Sequence, residues 1–121
     1  MAKYGMVMLR TGQTPPAFVY NTTPHPVNVL APDGRTITIP AAEKPFRLGE
    51  RVEVIGDLGG VPLVRKSLSG AELPPQSYRV FYIVPLAVAQ VAGRPDFIIP
   101  DDLVRDEEGR VVGCRRFAVL F

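Results

Sequence analysis

Pro26-Val27-Asn28-Val29-Leu30-Ala31-Pro32-Asp33-Gly34-Arg35-Thr36-Ile37-Thr38-Ile39 is the stretch whose reading decides the fold. Apolar and polar residues alternate on both sides of Asp33-Gly34. A period of two puts successive side chains on opposite faces of an extended chain. An Asp-Gly pair readily adopts the backbone angles of a tight hairpin turn. The stretch therefore predicts a β-hairpin closed by Pro40, with Ala41 to Pro45 as a loop.

Two more hairpins are read outward from this one. Arg51-Val-Glu-Val-Ile55 alternates, with Val52 and Val54 on one face, and leads through Gly56-Asp-Leu-Gly-Gly60 into Val61 to Arg65. Pro62 makes the return strand an edge or marks a bulge. Leu103-Val-Arg105 and Arg110 to Phe121 flank the turn Asp106-Glu-Glu-Gly109. The closing run Phe117 to Phe121 is apolar enough to be buried. Tyr4 to Leu9, Ala17 to Tyr20 and Phe97 to Ile99 read as short strands, and Tyr78 to Val84 as a central one. Pro85 at a first helical position, Leu86 to Ala92 and the stop at Gly93 predict one short helix. Ser67 to Ser77 reads as an irregular surface loop of a length that often carries function. The expectation is a mainly β fold, with antiparallel hairpins forming a small sandwich or barrel-like domain and one short helix near residues 85–92. Residues 1–121 fit one domain, the first nineteen being a strand or a less well-packed extension.

Composition narrows the function classes. The chain has 121 residues, 46% hydrophobic and 21% charged, which is ordinary globular material. Its thirteen prolines and eleven glycines are spread along the chain and punctuate strands. A net charge of +2 is too small for nonspecific polyanion binding, so no nucleic-acid partner is expected. The absence of a long apolar run or a signal-peptide layout leads to the expectation of a cytoplasmic protein without a membrane partner. One cysteine and one histidine supply neither a disulfide framework nor a structural zinc site, and no cofactor is expected. Arginines greatly outnumber lysines. A GC-rich or heat-adapted source accounts for that, as does a choice of guanidinium forks for phosphate or carboxylate.

Catalytic pairs are scarce. His25 lies between Pro24 and Pro26, which restrict the backbone around it. It could act as an acid or base near neutral pH, contact a ligand, or simply bond a neighbouring loop. Cys114, in the last predicted strand, reads as a small buried apolar residue and not as a thiolate. Asp101-Asp102 reads as capping a turn. Asp106, Glu107 and Glu108 read as a solvated hairpin tip facing Arg105 and Arg110. Arg94, Arg105, Arg115 and Arg116 remain as candidate anion ligands, with Tyr82 and Phe97 as rings for a base. Pairing with the nearby acids is the plainer reading of each.

Thr23-Pro-His-Pro-Val-Asn-Val29, Val61-Pro-Leu-Val-Arg65, Tyr82-Ile-Val84, Arg94-Pro-Asp96 and Val104-Arg-Asp-Glu-Glu-Gly-Arg-Val-Val-Gly113 carry a resemblance. From about Tyr20 onward the chain resembles a family of small uncharacterised phage and bacterial proteins. These open on Thr-Pro-His-x-Val-x-Val and close on a Val-Arg-Asp-x-x-Gly-x-x-x-Gly hairpin. The chain is also similar in kind to phage anti-defence sponges, which sequester signalling nucleotides. That similarity implies no residue roles.

The residues themselves lead to the expectation of a homo-oligomeric, non-catalytic binding protein for a phosphorylated small molecule, such as a signalling nucleotide. His25, Asn28, Tyr82, Arg94, Asp96, Arg105, Arg115 and Arg116 would line its site. The alternatives are a protein–protein interaction module inhibiting a host enzyme, and a small hydrolase or lyase using His25.

Overall fold

The computed structural model describes residues 4–45, 49–69 and 73–120. In chain order the elements are β1 (Gly5–Leu9), β2 (Ala17–Asn21), β3 (Val27–Leu30), β4 (Thr36–Ile39), β5 (Gly49–Leu58), β6 (Val61–Ser69), β7 (Val80–Ile83), α1 (Leu86–Ala92), β8 (Phe97–Arg105) and β9 (Val111–Ala118). Seven strands form one sheet in the order β1-β2-β7-β8-β9-β3-β4, while β5 and β6 form a ladder of their own.

The fold is mainly β, and the seven-stranded sheet is a nearly closed barrel. Its two outer strands meet at Gly5, where an added Cβ would stand 1.7 Å from the Pro40 carbonyl oxygen. Only a residue without a side chain permits that approach.

The three expected hairpins are present and antiparallel: β3–β4, β5–β6 and β8–β9. What joins them is parallel, with β7 between β2 and β8, and β3 beside β9. Parallel neighbours need a crossover, and α1 supplies it between β7 and β8. Pro85, expected at the first helical position, is instead the N-cap of α1, and Gly93 ends the helix in the left-handed region at φ 59°.

Alternation explains both halves of the core. Val19, Ile83, Ile98, Val29, Ile39 and Cys114 point into the barrel. Tyr82, Val84 and Phe97 point outward and are covered by Val88 and Ala89 of α1. A strand covered on both faces reads as a continuous apolar run, which is why residues 78–84 looked so strand-like. The strand itself is shorter, because Arg79 has φ 60° and cannot extend a ladder.

Several expected boundaries move. Gly56, Asp57 and Leu58 continue β5, so the turn is only Gly59-Gly60, at φ 64° and 97°. Two positive angles make the tight turn that matches strand twist. The irregularity anticipated at Pro62 is a register shift between Val54 and Gly56 on the facing strand. Ser67 to Ser69 belong to β6, so irregular chain is described only over 73–77, and the middle of that expected loop lies outside the described residues. Phe97 to Ile99 and Leu103 to Arg105 are one strand, β8, which runs through Asp101 and Asp102 instead of turning there. Pairing with β9 carries it past the irregularity at Asp102, whose φ is 53°. The closing run is not buried as expected: β9 ends at Ala118, and Val119 and Leu120 are exposed.

Candidate functional site: an apolar furrow and a projecting arm

β2 and β7 end together, Asn21 opposite Ile83. Past that level their chains turn away, and a cavity of about 480 Å³ opens between them and the continuing strand β8. Thr23, Pro24, His25 and Val27 line one side, Val84, Pro85 and Leu86 another, with Ile99, Pro100 and Leu103 also lining it. A second cavity of about 450 Å³ lies between β3, β8 and β9, and includes Asn28, Val111, Val112 and Gly113. Both cavities share Val27, Pro100 and Leu103, so they form one furrow. Leu86, Leu103, Val111 and Val112 are exposed along it. The furrow is apolar, with His25, Thr23 and Asn28 as its polar points.

Fully buried Asn21 sets the wall that carries His25. Its amide nitrogen donates to the His25 carbonyl oxygen at 2.8 Å. Its side-chain oxygen accepts from the Thr23 backbone N–H at 3.0 Å and the Thr23 hydroxyl at 2.7 Å. Buried Thr22 donates its hydroxyl to the Ile83 carbonyl oxygen at 2.7 Å, tying this turn to the end of β7. From sequence alone Asn21-Thr22-Thr23 fits only an accidental glycosylation triplet; the signal for its structural role is three small polar residues directly after an apolar strand. Asn28 is held as well, donating to the Val112 carbonyl oxygen at 3.3 Å and accepting from the Thr38 hydroxyl at 2.8 Å.

The remaining candidates lie elsewhere, and neither cavity is lined by Arg94, Arg105, Arg115 or Arg116. Arg94 donates twice to Asp96, at 2.9 and 2.5 Å, and its guanidinium carbon lies 4.3 Å from the centre of the Phe97 ring. Their side chains are only 15% and 8% exposed. Tyr82 is buried, stacked on Tyr20 at 5.6 Å and set edge-on to Phe97 at 6.0 Å. Burial, and then the Asp96 charge, raise its phenol above the ordinary range. Arg105 donates to the Gly109 carbonyl oxygen, Arg115 pairs with Asp102 at 3.4 Å and Arg116 with Asp101 at 2.7 Å. The hydrogen bond from Arg116 holds the Asp101 carboxyl below its usual range. The structure thus brings His25 and Asn28 to one furrow and distributes the four arginines among internal partners. Cys114 faces the barrel interior, and burial pushes its thiol up. Among the described residues, no three of His, Cys, Asp and Glu converge as a metal site.

The β5–β6 arm is the other prominent feature. Ten- and nine-residue strands at about 3.3 Å per residue reach roughly 30 Å. Val52 and Val54 share a face with Val64, while Leu58, Val61 and Leu63 near the tip lie on the opposite face. Together with Ile55 they are 37–69% exposed. The arm was legible as a hairpin, but its apolar residues on both faces did not enter the expected site.

No family model, curated protein or solved structure matches the chain. Among the described residues no helix is long and apolar enough to cross a membrane.

Proposed function

We propose that this protein is a non-catalytic protein–protein interaction module that docks through its β5–β6 arm. One observation carries the reading: a two-stranded ladder whose apolar side chains are exposed on both faces. An isolated two-stranded hairpin is marginal in water, and exposed apolar patches of this kind mark interaction surfaces. Seven Val, Leu and Ile side chains, each about half exposed, would contribute roughly 7 kcal/mol when covered, before the costs of association. That is enough to matter and well short of irreversible. The proposed setting is the cytoplasm, where an unpaired thiol such as that of Cys114 persists.

Capture of a phosphorylated small molecule has less behind it. Arg94, Arg115 and Arg116 each hold an aspartate, and the furrow that contains His25 and Asn28 is apolar. Turnover by His25 has least, because Asp96, the acid that would serve it, is bound by Arg94 and lines neither cavity.

A photoreactive phenylalanine analogue placed at Val54 in the living host tests the docking reading. Irradiation should yield one discrete protein adduct. Recovery of the uncoupled chain alone would remove the reading.

A further inference from the structure

We infer that the furrow is a site for an uncharged, ring-bearing small molecule that presents one hydrogen-bonding group to His25. The inference goes beyond the docking reading, because the arm takes no part in it. At about 480 Å³ the wider lobe falls within the range that takes small ligands. Ile83 and Val84 line it and are buried, one in each of the two cores, so this part of the lining is fixed. Pro24, Pro85 and Pro100 line it as well, and a proline ring has no side-chain freedom to lose when covered. The Asn21 amide and the Thr22 hydroxyl tie down the turn that carries His25. A lining formed before the ligand arrives favours a rigid ring over a flexible chain, which would give up its own rotational freedom on entering.

Polar content sets the chemistry of the occupant. Among the described residues no Asp, Glu, Lys or Arg lines either lobe. A charged ligand would therefore lose water with nothing to pair it. Thr23 and Asn28 are held by the chain itself, through Asn21 and the His25 carbonyl oxygen in one case and Val112 and Thr38 in the other. His25 differs. Its carbonyl oxygen accepts from Asn21 and Thr23, but among the described residues no group bonds its ring. A neutral imidazole carries one donor and one acceptor nitrogen. One unengaged polar ring on an apolar lining matches a ligand with one hydroxyl on an apolar frame, which is the chemistry of a phenol.

Proton NMR titration of the full chain with 2-naphthol tests the site. His25 is the single histidine of the chain, so its ring protons report the contact directly. They should shift on titration and saturate with a dissociation constant on the order of 100 μM. 2-Naphthoate, the same rings with a carboxylate in place of the hydroxyl, should bind at least about tenfold more weakly. His25→Phe keeps an apolar ring and loses the hydrogen bond, so 2-naphthol should bind it about fivefold more weakly by fluorescence titration. Leu103→Glu sets a charge in the lining at an exposed position and should weaken binding at least about tenfold. Val54→Asp, on the arm, should bind as the wild type does. His25 ring protons that do not shift, or a Leu103→Glu chain that binds normally, overturn the site. Weakening by Val54→Asp also overturns it, because the probe then sits on the arm. Naphthoate binding as tightly as naphthol removes the uncharged class, and unchanged binding by His25→Phe removes the hydrogen bond. The Val54 photoadduct reads the docking surface, so failure here leaves the docking reading standing, and failure there leaves this site standing.

Discussion

Arg94 acts inside the fold. Two hydrogen bonds from its guanidinium end on Asp96, and its flat face lies on the Phe97 ring. Both partners are nearly buried, so each neutralises a charge that would otherwise be costly there. Asp96→Ala should cost about 2–3 kcal/mol in urea unfolding, somewhat under the usual figure for a broken buried pair, because Arg94 can swing partly into water. Asp101→Ala, which removes an exposed pair with Arg116, should leave the urea midpoint close to that of the wild type. Equal losses in the two variants would mean that burial does not distinguish the pairs. The Arg94-Pro95-Asp96 spacing hinted at this pairing, since Pro marks a turn and the turn, closed by the Phe97 N–H on the Arg94 carbonyl oxygen, brings the two side chains together. Opposed charges there meet each other before they meet a ligand. Residue types alone suggested a phosphate fork, and only burial and distance show where the fork is used.

Elements were legible where the pattern is local. Alternation and turn residues gave β3–β4, β5–β6 and β8–β9, because a hairpin is specified by residues adjacent in sequence. The parallel pairings of β7 with β2 and β8 were not, since nothing local to Val80–Ile83 names strands more than ten residues away. The same limit hid the furrow, which exists only because β2 and β7 stop at one level while β8 continues. The signals nearest to it were indirect. Leu86–Ala92 has six apolar residues in seven, more than a helix on one side of a sheet can bury, and Leu86 and Val91 are exposed. Closure of the barrel makes a prediction at this scale. A methyl group at Gly5 would collide with the Pro40 carbonyl, so Gly5→Ala must push β1 away from β4. Its cost should be about 1–3 kcal/mol, the range for overpacking, read from denaturant midpoints. Gly113→Ala, whose added carbon would sit 3.1 Å from the Asn28 carbonyl oxygen, should cost less. A Gly5→Ala chain as stable as the wild type would show that the two sheet ends do not meet.

At the scale of the whole molecule, stability should form a plateau in pH with a physical cause at each end. On the acid side, backbone hydrogen bonds from Arg35 and Arg110 hold the Asp33 and Asp106 carboxyls below their ordinary value, and the Arg116 side chain does the same for Asp101. A carboxyl with a lowered folded pKa binds protons first in the unfolded chain. Unfolding therefore takes up protons, and stability falls as pH drops below the ordinary 3.8 and through the lowered folded values. None of the three is buried, so the slope should be shallow, and added salt should flatten it further by screening the Arg116 pair. On the alkaline side burial raises the Cys114 thiol and the Tyr4 and Tyr82 phenols. Here the unfolded chain ionises first. Their contribution is complete below the ordinary thiol value of 9.0 and is lost as pH rises past it and through the raised folded values. Thermal melts followed by circular dichroism should thus be level from about pH 5 to 8 and decline on both sides. Asp106→Asn should soften the acid decline without touching the alkaline one, and Cys114→Ser should do the reverse. If Asp106→Asn left the acid limb unchanged, the turn carboxylate would have no part in holding the folded state at low pH.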